Sequence, residues 1–144
     1  MTQIGSPEEI RSAPRSRYAA DMVGLNSFRG RLEPLEEGAG LLVTDEGAVV
    51  AAWPEGSDGG ESLGLLRPVD VTLSLESPMG SARNRFRGEV TSISIDGDRA
   101  RVRVATAPPV VAEVTLSSLR RLGLRDGAIV WASFKAVEVQ VLPI

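Results

Sequence analysis

A chain of 144 residues, 42% apolar and 24% charged, has the length and composition of one soluble domain or of two small ones sharing a core. It contains neither cysteine nor histidine, which excludes a disulfide frame and a thiolate metal site and removes the commonest general base and metal ligand. No apolar run approaches the ~18 residues that would span a bilayer, and the polar opening Met1-Thr2-Gln3 is unlike a secretory signal.

The net charge of −3 is unevenly spread. Residues 26–80 set three arginines against ten carboxylates, whereas residues 81–144 set nine arginines and Lys135 against six. The second half therefore suits an anionic partner. Two Trp, one Tyr and three Phe are too few for a base-stacking surface, so no nucleic-acid partner is expected. Lys135 is the only lysine beside fifteen arginines, which marks it as a place where a compact ammonium differs from a planar fork.

In chain order, Ser6-Pro7-Glu8-Glu9 predicts a short helix that stops near Ser12, ahead of Pro14. A second helix is predicted over 15–23, ending at Gly24. Strands follow from Phe28. Residues 41–44 and 48–53 flank Asp45-Glu46-Gly47 as a hairpin, and 53–62 reads as a mobile loop. Val69, Val71, Leu73 and Leu75 alternate with polar residues as a half-buried strand, broken by Pro78-Met79-Gly80. Further strands are predicted over 86–95, 99–104 and 110–114. A helix over 117–122 is capped by Gly123, and a long last strand covers 129–142. Arg99, Arg101 and Arg103 form one face of their strand, most simply a solvated one.

Two phrases occur twice. Asn26-Ser27-Phe28-Arg29-Gly30 matches Asn84-Arg85-Phe86-Arg87-Gly88, and Arg67-Pro68-Val69-Asp70-Val71 matches Lys135-Ala136-Val137-Glu138-Val139. The second copy is longer by about the length of the predicted helix segment 115–124. The chain thus reads as a duplicated five-strand unit of small-barrel, OB-like type, mainly β, with one copy lacking the helix.

Only the second copy carries donors for an anion. Ser81-Ala82-Arg83-Asn84 after Gly80 can turn consecutive N–H groups to one point, with Arg83 adding charge-assisted donors. Thr115 and Ser118 place hydroxyls at the helix start, and Lys135 with the N–H of Ala136 completes a dicationic set without base or nucleophile. Taken singly, Ser117 or Ser118 is an ordinary helix cap and Arg83 an ordinary surface charge; the reading rests on the set. A small dianion is its expected ligand.

Ser81-Ala82-Arg83-Asn84, Gly88, Val114-Thr115-x-x-Ser118, Leu122-Gly123-Leu124, Gly127 and Phe134-Lys135-Ala136 together resemble the molybdate-binding Mop/TOBE domain. Residues 1–25, with Gln3-Ile4-Gly5-Ser6-Pro7-Glu8-Glu9, Pro14, Tyr18 and Val23-Gly24, resemble the closing stretch of an ABC-type ATPase domain. The resemblance implies a helical tail over 1–25, a degenerate TOBE unit over 26–78 and a molybdate-binding unit over 79–144, the last two as tandem OB-like barrels. It implies molybdate or tungstate as bound ligand at a subunit interface of a homo-oligomer, most simply a dimer. Ser81, Ala82 and Arg83 would come from one chain, and Thr115, Ser118, Lys135 and Ala136 from another. Gly80 and Ala136 stand where the family often has hydroxyl residues.

The degenerate unit is expected to leave the ligand unbound, since its ten carboxylates repel a dianion and it lacks the helix. No Gly-x-x-x-x-Gly-Lys-Ser/Thr loop occurs, so no ATP hydrolysis of that kind is expected of this chain. Three functions remain. The first is a cytoplasmic oxyanion sensor within a molybdate importer's ATP-binding subunit, held at the inner face of the plasma membrane through the permease subunits. The others are a free-standing storage protein, or a structural module that binds nothing.

Overall fold

Period-two alternation is plainest over residues 99–105. In the computed structural model, which describes residues 24–144, Ala100, Val102 and Val104 are buried while the alternating arginines are exposed. The strands are β1 (Asn26–Glu36), β2 (Ala39–Thr44), β3 (Gly47–Ala52), β4 (Gly60–Leu66), β5 (Thr72–Ser74), β6 (Asn84–Asp96), β7 (Arg99–Ala105), β8 (Val110–Thr115), β9 (Ile129–Phe134) and β10 (Gln140–Pro143). One helix, α1 (Leu116–Leu122), follows β8, and two 3-10 turns, η1 (Pro68–Asp70) and η2 (Ala136–Glu138), precede β5 and β10. The two helices predicted before Gly24 lie outside the described residues.

The strands form two antiparallel five-stranded sheets, ordered β10-β4-β1-β2-β3 and β5-β9-β6-β7-β8. Each sheet takes four strands from one copy of the repeat and the fifth from the other. β5 pairs with β9, Leu73 opposite Ala132, and β10 pairs with β4, Val141 opposite Gly64. The turns before the exchanged strands close the circuits, η2 packing on β3 and η1 on β8. One core cluster runs through both sheets, from Phe28, Leu42 and Val49 to Val90, Val102 and Val130, and a smaller one gathers around Leu63 and Leu65. Phe134 stacks on Phe28 with ring centroids 6.2 Å apart.

Both repeated phrases have a structural cause. Asn26 and Asn84 begin β1 and β6 and are buried. The Val50 N–H donates to Asn84 Oδ1 at 2.7 Å, and Asn84 Nδ2 donates to the Val50 carbonyl at 2.8 Å. Asn26 repeats this at Val111, at 2.8 and 2.9 Å. Each carboxamide therefore clamps the edge strand of the opposite sheet. Gly30 and Gly88 are demanded by close strand approach. A Cβ would stand 2.1 Å from the Val43 carbonyl oxygen at Gly30, and 2.7 Å from that of Ala105 at Gly88. The second phrase is a 3-10 turn in both copies, with Asp70 N–H bonding Arg67 O and Glu138 N–H bonding Lys135 O, each at 3.0 Å.

Those turns correct two sequence expectations. The strand expected across Val69 to Leu75 is only Thr72–Ser74, because Pro68 starts a turn in its place. The single strand expected over 129–142 is broken by η2. A valine-acid-valine run reads as alternation although its backbone coils. The loop expected over 53–62 ends earlier, since β4 begins at Gly60. β4 is buried on both faces from Ser62 to Leu66, so it shows no alternation.

Replacing Asn84 by Ala strands the Val50 N–H and carbonyl without partners. Asn84→Ala is expected to cost about 2–3 kcal/mol and lower Tm by on the order of 10 °C, followed by circular dichroism on heating. An unchanged Tm would contradict the clamp.

Candidate oxyanion site

Ser81, Ala82 and Arg83 form the approach to β6. Arg85 folds back onto this approach, donating from Nη2 to the Gly80 carbonyl and from Nε to the Ala82 carbonyl, both at 2.7 Å. In a trans peptide the N–H points opposite to the C=O. The N–H groups of Ser81 and Arg83 are thereby turned away from Arg85, and neither has a partner among the described residues. Arg85 was not among the expected site residues. Its one mark in the sequence is that the first copy of the repeated phrase has Ser27 in its place.

The Arg83 guanidinium is not free. Its Nη2 and Nη1 donate to Glu36 Oε1 and Oε2 at 3.0 and 3.3 Å, reaching from the second copy to the end of β1. Among the expected residues, Asn84 has its carboxamide spent on Val50 and is 2% exposed, so its side chain clamps the fold.

Lys135 and Ala136 lie beside this approach. Asn84 pairs with Phe134, so β9 leaves the sheet where the Ser81–Arg83 approach enters it. The Glu138 carboxylate accepts from the Lys135 backbone N–H at 2.8 Å. The Lys135 ammonium is exposed and has no ion-pair partner among the described residues. In the first copy the matching cation is quenched: Arg67 Nε and Nη2 donate to Asp70 at 3.0 and 3.1 Å. That hydrogen bond, then the charge of Asp70, holds the Arg67 pKa above its ordinary value.

Thr115 and Ser118 lie elsewhere. Thr115 is the N-cap of α1, accepting from the Ser118 N–H at 3.1 Å and donating to Ser118 Oγ at 3.1 Å. The cap is thus Thr115, one turn back from the serines the sequence offered. Arg121 Nη2 reaches Ser118 Oγ at 3.5 Å. Thr115 pairs with Arg99, which pairs with Asp96, the far end of the 13-residue β6 from Asn84. At 3.3 Å per residue those ends are up to roughly 40 Å apart along the strand.

One chain therefore brings together Ser81, Ala82, Arg83, Lys135 and Ala136, and leaves Thr115 and Ser118 at the opposite end of the sheet. The resemblance had grouped Lys135 and Ala136 with Thr115 and Ser118; within one chain the sheet register groups them with Ser81. Two surface clefts, of about 360 Å³ beside Asn26, Arg101 and Arg103 and about 680 Å³ beside Arg29, Arg31 and Glu46, include none of these residues. The donors lie on an open surface with cationic charge. No cluster of three carboxylates gathers for a metal cation among the described residues.

Residues 80–141 match the TOBE domain family. Over 99% of its length the chain is 31% identical to the molybdenum import ATP-binding protein ModC of Mycobacterium tuberculosis and 32% identical to the molybdate/tungstate import ATP-binding protein WtpC of Pyrococcus horikoshii. It spans 39% and 40% of their lengths. It is also 33% identical, over 86% of its length, to the putrescine transport ATP-binding protein PotG of Escherichia coli, of which it spans 34%. The fold matches that of the cytoplasmic molybdate-binding protein ModG, crystallised with molybdate bound, with a TM-score of 0.72 at 24% identity over 83% of this chain and 96% of that one.

The Thr115 hydroxyl serves α1 whether or not a ligand is present. Thr115→Ala is expected to lower stability by about 1 kcal/mol and Thr115→Ser by much less, read from urea midpoints. Equal losses would show that the methyl group, not the cap, matters.

Proposed function

We propose, on the premise that this chain belongs to the TOBE domain family through residues 80–141 and is homologous along its length to molybdate and tungstate import ATP-binding proteins, that it binds a tetrahedral oxyanion and regulates such an importer. One observation supports the reading: Arg85 holds the Gly80 and Ala82 carbonyls, leaving the Ser81 and Arg83 N–H groups unpartnered among the described residues, and the register of Asn84 with Phe134 brings the backbone of Lys135 to the same end of the sheet. These N–H groups and the Lys135 ammonium donate, and the ammonium carries positive charge; none is a general base or nucleophile at neutral pH. Binding is the chemistry they support. Molybdate and tungstate, close in size and equal in charge, are the ligands the relatives' names suggest.

Ser81, Ala82, Arg83, Lys135 and Ala136 of one chain form the main half of the site. Thr115 and Ser118 of a second copy supply hydroxyls, so the ligand sits between chains of a homo-oligomer, most simply a dimer. Occupancy favours one arrangement of the two chains, and that preference is the regulatory signal. The chain itself does no ATP hydrolysis. It acts in the cytoplasm, at the membrane's inner face, through the permease partners of the ATP-binding subunit. No helix among the described residues is long and apolar enough to cross a membrane. The first copy of the repeat stays unliganded, since Asp70 quenches Arg67 and its segment has no α1 equivalent.

A second reading is a structural module that joins transporter subunits and binds nothing. The likeness to a putrescine transport protein favours it, because putrescine is a cation and needs no oxyanion site.

Titration calorimetry with molybdate, with sulfate as control, separates the two. The sensor reading expects micromolar or tighter binding at one site per chain, weak binding of sulfate, and a loss of about tenfold or more in Lys135→Ala. Molybdate should also raise Tm. Neither heat nor a thermal shift leaves only the structural module.

A further inference from the structure

Arg83 is the strongest anion donor at the proposed site, yet both of its terminal nitrogens are held by Glu36, 47 residues earlier in the chain. A carboxylate presents two oxygens to a guanidinium fork much as one edge of a tetrahedral oxyanion does. We infer that Glu36 is a built-in competitor for the ligand, an affinity-setting residue contributed by the acidic first copy of the repeat. This rests on the oxyanion reading above.

Glu36 ends β1, just before the turn into β2, and its side chain crosses to the approach of β6. Both partners remain about half exposed, Arg83 at 44% and Glu36 at 55%, so water and a solute anion reach the pair. Contacts of this kind hold weakly and exchange readily. With Glu36 in place the charge of Arg83 is offset, which leaves Lys135 and Arg85, the latter bonded only to the Gly80 and Ala82 carbonyls, as the cationic charge near a ligand. An arriving dianion must displace the carboxylate or bind beside it against its repulsion. Either way the free protein binds more weakly than its donor set allows. Where the carboxylate is displaced, binding also loosens a contact between the two copies, and occupancy is felt in the first sheet.

Lys135 has no such partner among the described residues, and Arg67 has one within its own turn. The Arg83–Glu36 pair is an ion pair between the copies placed within the oxyanion set. Glu36 acts through Arg83 and is a positioning residue.

The test is molybdate titration of wild type, Glu36→Gln, Glu36→Asp and Glu33→Gln. Glu33 is an exposed carboxylate of the same strand with no ion pair among the described residues, so its replacement controls for net charge. Removing one carboxylate roughly 7 Å from a dianion is expected to tighten binding about two- to tenfold, less in high salt. Glu36→Asp should remain within about twofold of wild type, because the competing charge stays. Glu33→Gln should change little, and the Tm of unliganded Glu36→Gln should stay within about 3 °C of wild type.

Tighter binding in Glu36→Gln alone supports the inference. Unchanged or weaker binding in that variant, with wild type binding normally, overturns it and leaves the oxyanion reading intact. Binding seen only in Glu36→Gln supports it further, with Glu36 masking the site. Silence in every variant overturns both.

Discussion

The N–H and carbonyl of Val50 are both satisfied by the side chain of Asn84, and those of Val111 by Asn26, so each sheet's edge strand is closed by a residue from the opposite copy. An edge strand otherwise exposes unpaired backbone groups. Here the exposed groups are used to join two barrels. The clamps also explain why the strands can exchange. β5 and β10 are short, three and four residues, and neither could hold two separate barrels together on its own. With the carboxamides and the stacked Phe28 and Phe134 fixing the junction, the exchanged strands have only to complete sheets already in register.

That arrangement puts the proposed site at the junction. The approach to β6, the exit from β9 and the turn η2 meet where Asn84 clamps β3. The same place in the first copy holds the approach to β1, η1 and β8, related by the duplication. The difference between them is a matter of charge. Arg67 is a flexible fork bound to the carboxylate three residues on, whereas Lys135 carries the same turn with Glu138 bonded to backbone. In the first copy the acid quenches the base; in the second the acid caps the turn and the base has no ion-pair partner among the described residues. A lysine serves this better than an arginine, since its point charge forms no bidentate pair with Glu138.

How much of this could be read beforehand follows from what period and composition encode. The barrels were readable, because β7 alternates strictly and the repeated Asn-x-Phe-Arg-Gly marks two equivalent strand starts. Propensity did not separate a 3-10 turn from a strand at Val69 or Val137, since alternating valines suit both and only the hydrogen bonds decide. β4 was hidden by burial on both faces. In the proposed site, Ser81, Arg83 and Lys135 are residues that the sequence offers as anion donors. Asn84 was visible for the wrong reason: a polar residue beside an anion motif turned out to serve backbone at Val50. Glu36 is hidden by its distance in sequence, and Arg85, one arginine among fifteen, is marked only by the Ser27 that replaces it in the first copy.

The placement of Thr115 and Ser118 bears on regulation more than on affinity. Were all the donors at one end of the sheet, a single chain could bind alone and occupancy would carry no information about a partner. The register sends the hydroxyl pair to the far end of β6, where α1 holds it rigidly through the Thr115 cap. Under the proposed reading a second copy must bring that pair to the ligand, so each bound oxyanion reports that two chains are correctly apposed. Glu36 adds to this, since it keeps Arg83 occupied until an anion competes for it. Weak competition inside the chain and completion by a neighbour then act in the same direction. Both make binding more dependent on the assembled state than on the donors of one chain.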